Sequence, residues 1–170
     1  GLFTTPKHFG GHGAPLGGRD SHDIGLSERE MREIHLVPFR HVIRNYACQS
    51  LMMAYSDFLG VPVAKSKELL RNILREEWGF DGFVVSDCGA IGVMNWQHRI
   101  VNSLEEAAAL GINSGCDLEC GGTYRENLVA AVQRGLVSEY AIDRALTRVL
   151  TMRFKLGEFD PIELVPYNHY

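Results

Sequence analysis

No apolar run in the 170 residues approaches the roughly 18 that a membrane span requires. The opening GLFTTPKHFG has neither the charged start nor the apolar block of a signal peptide. The sequence therefore reads as that of a soluble chain, with no membrane partner. Lysine and arginine are never clustered and the formal net charge is −4, so the concentrated positive charge that nucleic acid demands is missing. Cysteine is scarce. Cys48, Cys88, Cys116 and Cys120 are the four present, too few for a disulfide scaffold. Cys116 and Cys120 form a C-x-x-x-C, but no histidine lies nearby to complete four ligands, and no metal is expected there. No linker, repeat or low-complexity stretch divides the chain. What is present, 45% hydrophobic and 22% charged residues, is ordinary globular composition, enough for one core.

Short apolar strands alternate with amphipathic helical stretches, the pattern of βαβ units and a parallel sheet. Strands are expected over 2–5, 50–54, 82–86 and 115–119. Ser27 followed by Glu30 is a capping box, and Met31, Ile34, Pro38, Phe39 and Val42 then keep helical spacing despite the proline. Ser66 caps a second helix carrying Leu69, Leu70, Ile73, Leu74 and Trp78, which stops at Gly79. Ser103 and Glu106 open a third, over 105–110, ending near Gly111. Two final helices follow over 125–133 and 139–155, the last with Ile142, Ala145, Leu146, Val149, Leu150 and Phe154 on one face. The tail over 159–170 looks extended. Four βα units are half of a (β/α)8 barrel or a small doubly wound sheet, and periodicity does not separate the two. Because the sequence begins inside an expected strand, a segment of a longer protein is the expectation.

Polar residues stand just past the strand ends: Lys7 and His8, Tyr55, Asp87, and the pair Asp117 and Glu119. Both folds place their chemistry there, which points to one shared site. The segment KHFGGHGAPLGGRDSH combines five glycines with Lys7, His8, His12, Arg19, Asp20 and His22, so backbone can approach a ligand beside hydrogen-bonding side chains. It lacks both phosphate-loop patterns, and no helix begins until Ser27, so phosphate is not expected. Taken singly, His12 and Arg19 read as solvated residues of a surface turn. Asp87 closes the run Phe83-Val84-Val85-Ser86. On its own it fits a nucleophile, an acid/base, a metal ligand or a helix cap.

The blocks K-H-F plus a glycine-rich loop, L-M-M-A-Y-S-x-x-x-G-V-P, L-R-x-E-W-G-F-D-G-F-V-V-S-D, G-C-D-L-E-C-G and I-D-R-A-L-x-R-V-L-x-x-R-F-x-L-G-x-F-D-P, in this order, resemble glycoside hydrolase family 3, the family of β-glucosidases and β-xylosidases. The resemblance covers nearly the whole chain. It implies the second half of an N-terminal (β/α)8 barrel over 1–158, with 159–170 leading toward a second α/β domain. It also implies a β-linked oligosaccharide or glycoside as substrate, hydrolysed with retention, and no cofactor. By the same resemblance Asp87 matches the catalytic nucleophile, Lys7 and His8 the pair that binds sugar hydroxyls, and Met52 and Tyr55 the strand walling that subsite.

A retaining glycosidase needs an ionised carboxylate and a protonated partner about 5–5.5 Å away, and a nearby Lys7 would favour ionised Asp87. In most of the family that partner is a glutamate of the second domain, so the chain alone should be inactive. A branch acting on N-acetylglucosaminides uses an Asp-x-His pair, which Asp20 and His22 resemble at a position about two residues later. A sugar-binding module without catalysis is the other alternative. In xylosidase-like members the cysteine after the nucleophile pairs with one after the last barrel strand, and Cys88 and Cys120 stand at those places. That disulfide would narrow the space a glucose hydroxymethyl needs, favouring a pentose, and would imply a periplasmic or secreted protein. Two buried thiols are the alternative in a reducing compartment. Half a barrel would leave two unpaired strand edges and an uncovered interior, so an open half is expected.

Overall fold

A computed structural model describes residues 2–166. Two parallel strands form its centre: β1 (Ser50–Met53) and, later in the chain, Phe83–Ser86, in the register Ser50↔Phe83 to Met53↔Ser86. Leu51, Met53 and Val84 are fully buried, as expected where helices cover the faces of a parallel sheet. Between them a small hairpin pairs β2 (Asp57–Phe58) with β3 (Val61–Pro62), and the later central strand is therefore β4. Leu59 and Gly60, at the hairpin turn, both have positive φ, 52° and 73°. Tight hairpins favour such turns, and the alternation of apolar residues gave no sign of this one.

The expected strand over 115–119 is reduced to the single bridge Val85↔Leu118, and on the other side of β1 the single bridge Phe9↔Met53 lies beyond the expected 2–5. Residues 2–5 form no strand. Pairing with β1 is set by Pro6, whose carbonyl accepts from Met52 N at 3.1 Å, and by Phe9, whose amide reaches the Met52 carbonyl at 2.8 Å. Residues 115–119 are interrupted at both ends, because Gly115 (φ 114°) closes the preceding helix and Cys120 departs toward Cys88. The four segments run side by side and, among the described residues, do not close.

Ser27 makes the expected capping box. Its Oγ accepts from Glu30 N (3.2 Å), and Glu30 Oε2 accepts from Ser27 N (3.0 Å). The single helix expected beyond it is broken: α1 (Glu28–Glu30) widens into a π turn over Met31–His35 before α2 (Val37–Asn45) starts afresh. The break puts Pro38 in the first turn of α2, where its missing N–H leaves nothing unsatisfied. Ser66 Oγ caps the next helix through Leu69 N (3.2 Å). That helix, Glu68–Glu77, is also π-wound, buries Leu69, Leu70, Ile73 and Leu74, and stops at Gly79 as expected. After β4 come α3 (Ala90–Trp96), α4 (Leu104–Ser114), α5 (Thr123–Gln133) and α6 (Glu139–Lys155).

Gly111 does not end α4. A Cβ there would lie 2.5 Å from Tyr124 Oη and 2.8 Å from Ile91 Cδ1, so the glycine is required where α3, α4 and α5 cross. The apolar face of α6 is divided as well. Ala145 and Met152 are buried, whereas Leu146 and Phe154 stay exposed. The tail is not simply extended, since Ile162–Leu164 makes a 3₁₀ turn. Residues 167–170 of the expected extension lie outside the described residues.

Asp117 is a structural residue. Its side chain is 1% exposed and accepts from Arg75 Nη2 (2.6 Å), Arg148 Nη1 (2.8 Å) and Val84 N (2.9 Å). One carboxylate thereby joins β4, the Glu68–Glu77 helix and α6.

Candidate active site

The C-terminal ends of β1 and β4 adjoin, which brings Tyr55 and Asp87 together. Asp87 N donates to the Met53 carbonyl at 3.1 Å, tying the residue to the end of β1. Its Oδ1 accepts from Cys88 N at 2.7 Å. The helix that follows is capped without any side chain, by Gly89 in the left-handed region, so a capping role for the Asp87 carboxylate is not realised. Oδ2 instead faces His8, whose Nε2 is 3.3 Å away.

Phe9, anchored on Met52 and Ala54 by backbone hydrogen bonds of 2.8 Å each, carries His8 to this place. Phe9 is fully buried, edge-on to Phe39 and Trp78. Burial pushes the His8 imidazole below its ordinary value of 6.5, against the pull of Asp87, and His12 and Lys7 add to the drop. A neutral His8 still has one ring N–H to donate. The Tyr55 hydroxyl donates to the Cys88 carbonyl. Burial, and then the negative charges of Asp87 and Asp20, push its phenol up, so it stays a proton-bearing donor.

Lys7 is exposed and makes no ion pair with Asp87 among the described residues; His8 takes that place. Lys7 instead lines a recess of about 250 Å³ with His8, His12, Gly13, His35 and Phe39. Met52 sits half-buried in β1 opposite Val85. Asp20 and His22 are both exposed. The electrostatic effect of Asp20 reaches Tyr55. His22 contributes main chain, its carbonyl accepting from Asp57 N at 3.2 Å. The glycines at the start of the loop serve packing, since a Cβ on Gly10 would lie 2.6 Å from Val63 and one on Gly11 2.7 Å from Ile24.

Two histidines escaped the reading of the sequence. His12 is half-buried, not a solvated turn residue, with its ring 4.3 Å from that of His8. Its Nδ1 is buried without a hydrogen-bond partner among the described residues. Donor atoms of His8, His12 and Asp87 lie within 4.8 Å of one another, a set that could hold a divalent transition metal. His98, its side chain 6% exposed, places Nδ1 3.1 Å from Asp57 Oδ1 and Nε2 3.2 Å from the Tyr55 carbonyl. It fixes the chain just beyond β1. His12 was visible only as one member of the glycine-rich loop after His8, and nothing marked His98.

Cys88 and Cys120 form a disulfide with Cα atoms 4.5 Å apart. Gly89 N reinforces it by donating to the Cys120 carbonyl at 2.6 Å, as does Cys120 N by donating to Ser86 Oγ at 3.1 Å. Cys48 and Cys116 are free and buried, as expected for core thiols. Glu119 Oε2 accepts from Tyr124 N at 2.5 Å, which fixes the start of α5.

The fold is a partial (β/α)8 barrel, consistent with the solved structures it superposes on. Residues 1–152 match the family described as Glycosyl hydrolase family 3 N terminal domain, and the chain belongs to that family. A probable exo-1,4-β-xylosidase of Aspergillus terreus (strain NIH 2624 / FGSC A1156) is 36% identical over 173 residues, covering 98% of this chain and 23% of the relative. A β-xylosidase of Formosa agariphila is 36% identical over 168 residues, covering 94% of this chain and 23% of the relative. Among solved structures, a β-glucosidase from Erythrobacter marinus superposes with a TM-score of 0.89 at 36% identity, over 94% of this chain and 21% of that one. The chain thus spans about a quarter or less of the length of these relatives. No helix among the described residues is long and apolar enough to cross a membrane.

Proposed function

We propose that this chain supplies the nucleophile half of a retaining exo-β-glycosidase that releases terminal β-D-xylosyl or β-D-glucosyl residues, with Asp87 attacking the anomeric carbon. The observation that carries the reading is the Asp87 carboxylate itself. It stands at the end of a buried parallel strand, with one oxygen held by Cys88 N and the other turned to His8. A covalent glycosyl-enzyme on such a carboxylate splits the displacement into two steps, each inverting the anomeric centre, so that configuration is retained overall. His8 and Lys7 bind sugar hydroxyls as donors, and the Met52 and Tyr55 edge of β1 walls the subsite. The protonated partner comes from the part of the longer protein that these residues do not include, together with the other barrel half and a second α/β domain beyond residue 158. The chain alone is then inactive.

Among the two sugars, the disulfide favours xylose. It joins the residue after Asp87 to the last barrel segment, where a hydroxymethyl group would need room, and shape at that point discriminates one carbon. The same disulfide favours an oxidising compartment, periplasmic or extracellular. The N-acetylglucosaminidase reading is weaker, because His22 is exposed and its described bonds to the fold are through the main chain.

The test is mechanism-based trapping of the full-length protein that carries this chain, with a 2-fluoro glucoside and a 2-fluoro xyloside in parallel, followed by peptide mass spectrometry. The expected result is a sugar on Asp87, formed faster from the xyloside. A protein that hydrolyses aryl glycosides but carries the label elsewhere overturns the assignment of Asp87. A folded protein that binds sugar, neither hydrolyses nor labels, leaves the non-catalytic module as the reading.

A further inference from the structure

Away from Asp87, a cavity of about 380 Å³ opens between the Glu68–Glu77 helix, the end of α4 and α6. Four arginines, Arg71, Arg75, Arg144 and Arg148, line it with only two carboxylates, Glu76 and Asp117. In a chain whose net charge is −4, this is a local excess of positive charge. Asp117 is already spent on Arg75 and Arg148, at 2.6 and 2.8 Å. Arg71 and Arg144 have no carboxylate within ion-pair distance among the described residues.

The Arg71 stem lies against Gly115, 3.4 Å from where a Cβ would stand. Burial, and then repulsion from Arg144 and Arg148, hold its guanidinium below the ordinary value. Arg144 rests over the Tyr140 ring at 5.8 Å. Arg75 Nε is buried and has no hydrogen-bond partner among the described residues. Four guanidiniums against two carboxylates leave the cavity net positive, and guanidinium forks match the paired oxygens of phosphate.

We infer that this cavity is a binding site for a small dianion, a phosphate group held by Arg71 and Arg144 across the mouth of the Asp117 cluster. The volume falls in the range of about 300–1,000 Å³ found for small-molecule sites, so it takes inorganic phosphate or a phosphate monoester. The site is independent of the glycosidase reading and lies on different elements.

The experiment is calorimetric titration of the full-length protein that carries this chain with inorganic phosphate and, separately, glucose 6-phosphate, at low ionic strength and again in added sodium chloride. Saturable binding with a dissociation constant below about 1 mM, weakened by salt, is expected. It should weaken at least about tenfold in Arg71→Gln and in Arg144→Gln, each of which removes one charged donor. Neither substitution touches the pairs on Asp117. Arg144 is exposed, so Arg144→Gln keeps the test valid should Arg71→Gln fail to fold. Tighter binding of glucose 6-phosphate than of inorganic phosphate identifies a monoester as the occupant, and the reverse identifies the free ion. No saturable heat with either probe, or equal affinity in wild type and Arg144→Gln, overturns the inference.

Discussion

Replacing Cys88 and Cys120 together by serine should destabilise the chain by an amount the structure fixes. The two residues are 32 apart in sequence with Cα atoms 4.5 Å apart, so the bond closes a loop of that length in the unfolded chain. Loop-closure entropy for a loop of this size corresponds to about 4 kcal/mol at 25 °C. With a urea dependence of about 2 kcal/mol per molar, the midpoint should fall by about 2 M. Thiol titration with Ellman's reagent supplies the independent count. Unfolded without reductant, the chain should show only Cys48 and Cys116, and after reduction all four thiols. In the native state neither should react at pH 8, because both are buried and burial pushes the Cys116 thiol up to about 12. Four reactive thiols in the unreduced, unfolded chain would refute the reasoning. So would a midpoint that moves by less than about 0.5 M, an effect below 1 kcal/mol on the same slope.

Three further outcomes follow from other parts of the fold. Asp117→Asn leaves Arg75 and Arg148 facing a neutral partner in a buried place and should cost about 3–5 kcal/mol in a urea titration; a loss below 1 kcal/mol contradicts the bridging role. Gly111→Ala drives a methyl toward Tyr124 and Ile91 and should cost about 1–3 kcal/mol, whereas Gly13→Ala, with nothing within 4 Å, should be near neutral. His8 titrates lower when folded than its ordinary 6.5, so the unfolded chain binds more protons in that interval and stability rises with pH across it. The contribution is full above 6.5 and is lost as pH falls from there through the folded value. Wild type should therefore lose stability on acidification that His8→Asn keeps, and parallel pH profiles of the two would disprove the shift.

The parts of the fold legible in the sequence are those decided by neighbours along the chain. Helix α6 begins after Ser138, whose hydroxyl accepts from Ala141 N at 3.2 Å, and it spans the expected 139–155. The central strands announced themselves as apolar runs bounded by turn residues, and Asp87 by its place at the end of one. What escaped was decided at a distance. Gly111 looks like a helix end until Tyr124 and Ile91 arrive beside it. His98 gains its role from Asp57 and Tyr55, some forty residues earlier. The pattern Met31, Ile34, Pro38 is compatible with one continuous helix, and only the need to seat Pro38 in a first turn reveals the break. The disulfide became an expectation only through the family resemblance, because pairing depends on geometry that composition does not carry.

A carboxylate brings two oxygens to any encounter, and in Asp87 the chain has already occupied one of them through Cys88 N. The group is therefore handed: its free edge and its direction of approach are chosen before anything binds, on the side where His8 waits. Rotating that carboxylate about its Cβ–Cγ bond would forfeit the Cys88 contact, so a partner arriving from the opposite side finds an oxygen already engaged, and the fold itself selects the face from which Asp87 can be reached.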